Sequence, residues 1–225
     1  MYKRQANDPG HEWGPPHAFV ELPHLIDPGC GWVATANNPP WGGRGSYLAL
    51  GSWSEGYRFR QVKSRIEALE IHTQESVGAI HADAVHGRGE DLAPIVSEIV
   101  LNMRNKRLRE MGELLRGWNG EYALDSVAAS VFTAFWEHWV RRVMALQFPQ
   151  IVIALVAPRG GSVARQVLTG NAQAWIPEGW DLNHAVRETL IDALAWLRRR
   201  VGTRKSQWRW GRLHTVTFGH PLSDE

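Results

Sequence analysis

With 225 residues, 44% of them apolar and 21% charged, the chain can bury the core of one domain or form part of a larger one, and its composition excludes disorder throughout. A formal charge of +2 gives no whole-chain reason to expect nucleic acid, and the basic residues gather in two places, 104–109 and 198–212. The single cysteine, Cys30, excludes an internal disulfide and a Cys-based zinc cluster, and no stretch reaches the roughly 18 uncharged apolar residues of a membrane span.

The N-terminal MYKRQANDPGHEW lacks the apolar run of a signal peptide, so the chain reads as soluble and unexported, with its compartment unknown. Residues 1–30 hold five prolines and no sustained periodicity, which predicts an extended, loop-rich arm. A strand-like run, Trp32 to Ala36, then ends in Asn37, Asn38, Pro39 and Pro40. Asn tolerates left-handed backbone angles and Pro forbids continuation of a strand, so the pair reads either as a turn or as a carboxamide aimed outward as a hydrogen-bond donor. A glycine-rich connection follows, and Glu55 to Glu70 turns helical and basic.

From 75 to 147 the pattern is mainly helical. Leu92, Ile95, Val96, Ile99, Val100 and Met103 recur at three and four, with Asp91 placed to cap their helix. In DSVAASVFTAFWEHWVRRVMALQF, the residues Val127, Ala128, Val131, Phe132, Phe135, Trp136, Trp139, Val140, Val143 and Met144 form a broad stripe, capped by Asp125 or Ser126. So wide a stripe predicts a core helix rather than a cofactor groove. The run IVIALVA at 151–157 fits a buried strand or a helix, with helix favoured. A further helix is predicted from about Asn183 to Val201, and WRWGRLHTVTFGHPL reads as a terminal strand that Trp208 and Trp210 introduce.

The search for chemistry by residue type returns little. His81 and His86 lie five apart, unlike the four-residue spacing of zinc helices, and no third ligand accompanies His81 with Asp83 or His214 with His220. RGGSVARQ from Arg159 lacks the Lys and Ser/Thr of a phosphate loop, no serine sits in a Gly-x-Ser-x-Gly setting, and Cys30 has no identifiable base.

Five segments in order, ELPHLIDPGCGWVATANNPPW, GYRFRQVKSRIEAL, AIHADAVHGRGEDLAPIVSEIV, LLRGWNGEYALDSVAASVFTAFWEHWV and WRWGRLHTVTFGHPL, resemble the later part of the β chain of penicillin acylases. These belong to the penicillin amidase family of N-terminal nucleophile hydrolases, with the cephalosporin, aculeacin and acyl-homoserine-lactone acylases. The resemblance covers about residues 19 to 222. It implies an α+β class, part of an αββα-type fold, mainly helical in this segment with a few strands, and 1–225 as one incomplete domain.

Activity is implied in the same way: hydrolysis of linear amides, including β-lactam N-acyl groups, by a Ser or Thr at the start of the β chain whose own α-amino group is the base. Asn37 resembles the family's oxyanion donor, and Arg58 resembles the arginine that orients groups at the site. Asp27 stands where Asn is usual, and IHAD stands where the family has a Gln before its Asp. The family's nucleophile, calcium ligands and acyl-pocket aromatics have no counterpart here. The chain is therefore expected to be a fragment or a split gene product, inactive alone and without a cofactor of its own. Its expected partners are an α chain, the first portion of a β chain and an amide substrate, with no membrane. Family members are often periplasmic or secreted. The rival reading is a binding module for single-stranded nucleic acid built on RRRVGTRKSQWRWGR.

Overall fold

In the computed structural model, which describes residues 16, 18–22, 24–39 and 53–219, the chain divides into two units, 1–54 and 55–225. Most of the predicted arm, the glycine-rich connection from 40 to 52 and the final HPL at 220–222 lie outside the described residues. In the first unit a 3-10 turn spans Phe19–Glu21. Trp32, Ala34 and Ala36 are half-buried, whereas Val33, Thr35 and Asn37 are exposed. That is the two-residue period of a strand. A ladder partner is missing among the described residues, so the run is extended backbone rather than a strand.

The second unit is helical: α1 (Tyr57–Glu67), α2 (Gln74–His81), α3 (Gly87–Leu101), α4 (Lys106–Arg116), α5 (Val127–Met144), α6 (Ile153–Val156), α7 (Gly161–Leu168), α8 (Leu182–Arg200) and α9 (Trp210–Leu213). Short polar side chains set most of the starts by taking N–H groups that no helix carbonyl can reach. Ser126 Oγ accepts from Ala129 N at 3.1 Å, Asn105 Oδ1 from Arg107 N and Leu108 N, and Asp181 Oδ1 from Asn183 N and His184 N. Thr73 and Ser76 close α2 reciprocally. The predicted cap Asp91 is corrected: the cap of α3 is His86, five residues earlier, and Asp91 lies within the helix.

Twelve of the 18 residues of α5 are buried, too many for one neighbouring helix to cover. Helices α3, α4, α6, α7, α8 and α9 accordingly surround it, with α8 packed along most of its length. Trp139 at its centre is fully buried, stacks on Phe135 at 5.9 Å and donates its indole N–H to Ala164 O of α7 at 2.9 Å. The second close pair is α3 with α4. A Cβ at Gly112 would stand 2.8 Å from Val100 and Leu101 side chains, so glycine permits this approach, and Ser97 Oγ donates to Gly112 O across it.

The few strands expected of the segment are absent from the described residues, where only one isolated antiparallel bridge, Val85 with Glu121, occurs. The predicted terminal strand is instead the short helix α9 followed by extended backbone to residue 219. Val216 and Phe218 there are 74% and 90% exposed. An alternating pattern becomes a strand only where another chain segment completes its hydrogen bonds. The run at 151–157 is helical, as favoured, with a 3-10 turn at Gln150–Val152 leading into α6. No single helix among the described residues is long and apolar enough to cross a membrane.

Candidate functional site

The two carboxamides at residues 37 and 38 do different things. Asn38 Oδ1 accepts from Ala36 N at 3.0 Å, and Asn38 Nδ2 donates to Pro39 O at 3.2 Å, so this side chain closes the turn. Asn37 carries the turn's unusual backbone, with φ of 60°, a left-handed angle that Asn tolerates better than most residues. Its carbonyl accepts from Ser54 N at 2.7 Å, and the residue is exposed. Pro39 keeps the turn from relaxing into further strand.

Arg58 is the second residue of α1 in the other unit, and it is exposed. The residue ahead of the helix, Gly56, has φ of 82° and supplies no side-chain cap. The helix start is held from outside instead. Glu55 pairs with Arg88 at 3.0 Å, with both side chains about three-quarters covered. A Cβ at Gly161 would collide with Glu55 Oε1, which places the carboxylate at the positive end of α7. Arg60 grips Asp91 with both terminal nitrogens, at 3.0 and 2.9 Å, and donates to Gly87 O. Gln61 and Arg65 both reach Asp83 Oδ2, at 2.9 and 2.7 Å. Side chains on either side of Arg58 thus bind the 83–91 segment and set the orientation of the turn that carries it.

At the middle of this tether Tyr57 is 7% exposed, with the guanidinium of Arg60 at 5.4 Å and that of Arg88 at 5.6 Å from its ring centroid. Arg88 also lies 4.9 Å from the Trp136 ring. Cations over aromatic faces gain electrostatic attraction with little loss of packing. Burial pushes the Tyr57 hydroxyl's pKa up, against the pull of Arg165. Tyr57 Oη and Arg88 Nε are buried without a hydrogen-bond partner among the described residues.

His86 caps α3 by accepting from Arg88 N at Nδ1, 3.1 Å away, and this requires an unprotonated Nδ1. Burial, together with the charges of Arg88 and Arg58, holds its pKa below the usual histidine value despite Glu55. The unfolded chain then binds the proton more readily than the folded one. His86 therefore contributes stability above about pH 6.5 that is lost as pH falls through its folded pKa. Urea unfolding from pH 7.5 to 5.5 should show this loss, and His86→Asn, which caps without titrating, should flatten the profile; the cap is worth about 1 kcal/mol. An unchanged slope in the variant would remove His86 from the account.

Among the described residues no group of three or more His, Cys, Asp or Glu stands where it could hold a metal ion. In the basic segment Trp208 is a packing group, 1% exposed and donating to Gly202 O at 2.7 Å, and the half-buried Trp210 lies edge-on to Tyr122. Trp208 therefore does not introduce a strand, and no open base-stacking face is left on it.

The family model of penicillin amidase matches residues 2–224. The chain belongs to the penicillin amidase family. It is 29% identical over 231 residues to the Penicillin acylase 2 proenzyme of Pseudomonas sp. (strain SE83), an alignment that covers 95% of this chain and 28% of that protein. Its fold matches that of the thermostable penicillin G acylase from Alcaligenes faecalis with a TM-score of 0.68, over 88% of this chain and 41% of that one, at 14% identity. The chain thus spans 28% of the length of the curated relative it matches, and its fold is similar to part of that of a penicillin acylase.

Within this penicillin amidase chain both residues expected at the site fall in the matched range, Asn37 in the first unit and Arg58 in the second. Sequence reasoning does not point to Glu55, Tyr57 or Arg88, and it weighs His86 only as a metal ligand. Two of the resembling segments contain Tyr57, His86 and Arg88, but no spacing rule connects residues about thirty positions apart.

Proposed function

We propose that this penicillin amidase chain forms the supporting part of an amide-hydrolysing acylase acting on N-acyl groups, such as those of β-lactams, with the nucleophile supplied by another segment. The family match supports the reaction class. The observation that carries the assignment of Asn37 is the division of roles at the turn, where Asn38 holds the backbone and Asn37 occupies the exposed, left-handed corner.

In the reaction, the Ser or Thr oxygen bonds to the amide carbon while its α-amino group takes the proton; such an amine titrates near 8, low enough to act as base. The carbonyl oxygen becomes an anion that accepts from Asn37 Nδ2, a neutral donor that holds its proton at any working pH. Collapse expels the amine, which takes the proton back, and water then cleaves the acyl ester by the same steps. Arg58, with a fork of donors, orients acceptors at the site. Its place on α1 depends on the Glu55, Arg60 and Asp91 tether.

The purified 225-residue chain is expected to leave phenylacetyl and fatty-acyl anilides intact. Hydrolysis is expected once an acylase α chain and a β-chain portion beginning with Ser or Thr are supplied. Turnover by the chain alone, above the no-enzyme rate and surviving removal of contaminants, would sink the proposal.

A further inference from the structure

Between α5, α8 and α9 the second unit holds a cavity of about 390 Å³, within the size range of small-ligand sites, roughly 300–1,000 Å³. Two indoles, Trp196 and Trp210, line it, and each is held in place by a neighbour. His138 donates from Nδ1 to Ala134 O at 2.7 Å, which fixes its ring edge-on to Trp196 at 6.2 Å and 66°. Trp210 is braced edge-on by Tyr122 at 4.8 Å and stacked by His214 at 4.8 Å and 15°. Aromatic walls already set in position lose little freedom when a planar group enters.

Thr133 and His138 on the lining are hydrogen-bonded within the protein, but other polar groups of the cavity are left unused among the described residues. Trp118, Trp139, Trp175 and Trp208 all donate their indole N–H to backbone carbonyls, whereas the indole N–H groups of Trp196 and Trp210 make no hydrogen bond among the described residues. Arg141 and Arg200 stand on the lining without an ion-pair partner among those residues, although Arg142 next to Arg141 binds Asp192 at 2.7 Å. Glu137 is the one carboxylate on the lining, so two guanidiniums face one acidic group. Aromatic faces, unpaired N–H donors and surplus guanidinium charge are complementary to a flat ring bearing an acid group.

We propose that this cavity binds a planar aromatic carboxylate, its ring against Trp196 and Trp210 and its carboxylate at Arg141 and Arg200. The proposal stands on the cavity itself and is independent of the acylase reading.

The test is calorimetric titration of the full chain with 2-naphthoate, beside the neutral 2-naphthalenemethanol. Saturable one-to-one binding of the acid is expected, at least about tenfold tighter than the alcohol, because a charge-assisted pair is lost with the charge. Arg141→Gln with Arg200→Gln, both at exposed positions, should weaken the acid about tenfold or more and leave the alcohol unchanged. The indole N–H resonances of Trp196 and Trp210, assigned with Trp196→Phe and Trp210→Phe, should shift on titration. The proposal is overturned by absence of saturable binding, by equal affinity for acid and alcohol, by arginine variants that bind the acid as tightly, or by binding that leaves those two resonances in place.

Discussion

Asn37→Ala is expected to lower kcat by about 10² to 10³ in the complemented acylase with KM nearly unchanged. The donor bonds most strongly to an oxyanion that exists only in the transition state. Alanine at a φ of 60° also strains the turn, a penalty of about 1–2 kcal/mol that would blur the reading. Asn37→Gly removes the carboxamide without that strain, and the same rate loss there assigns the effect to the side chain. Asn38→Ala loses the bonds to Ala36 N and Pro39 O, so it should cost stability, about 1 kcal/mol, and little rate. Equal rate effects at positions 37 and 38, or near-wild-type turnover in Asn37→Gly, would reduce the pair to a turn.

Trp139→Ala is expected to be the most destabilising single change in the helical unit, by about 3–5 kcal/mol. The indole is fully buried between Phe135 and Trp180, and its removal opens a void that α5, packed on several sides, cannot close. Its loss also leaves Ala164 O without the indole donor. At about 2–4 °C per kcal/mol for a unit of this size, the thermal midpoint should fall by on the order of 10 °C. Trp139→Phe keeps a stacked ring and loses only the donor and part of the volume, so it should cost less than half as much. A fall below about 1 kcal/mol for Trp139→Ala in urea unfolding would show that the α5 core can repack, contrary to the density expected of protein interiors.

The division between what could and could not be read in advance follows the range of the interactions. The apolar stripe from Val127 to Met144 and the cap at Ser126 located α5, and the predicted helix from Asn183 to Val201 is observed at Leu182–Arg200. Asp91 shows where local reasoning stopped. It has the right chemistry for a cap, but His86 starts the helix and Asp91 binds Arg60, 31 residues away. The terminal alternation from Leu213 to Phe218 had strand chemistry, yet helix α9 and unpaired extended backbone occupy it, because a ladder needs a neighbour the local pattern cannot supply. The resembling motifs led to the family and marked Asn37 and Arg58 as the residues to inspect.

By itself the sequence determined α5 with its cap and α8, because hydrogen bonds four residues apart and a 3.6-residue apolar period are written in neighbouring letters. It also determined the family, through the order of its motifs. Only the tertiary structure decided that the Asn38 side chain closes the turn, and that Glu55, Tyr57 and Arg60 anchor the start of α1 on His86, Arg88 and Asp91. The choice between two adjacent carboxamides turns on backbone angles of a degree of detail that residue type leaves open. The anchoring depends on which helix faces meet once α5 has gathered its neighbours. Pairs about thirty residues apart share no period, and only packing brings them within reach.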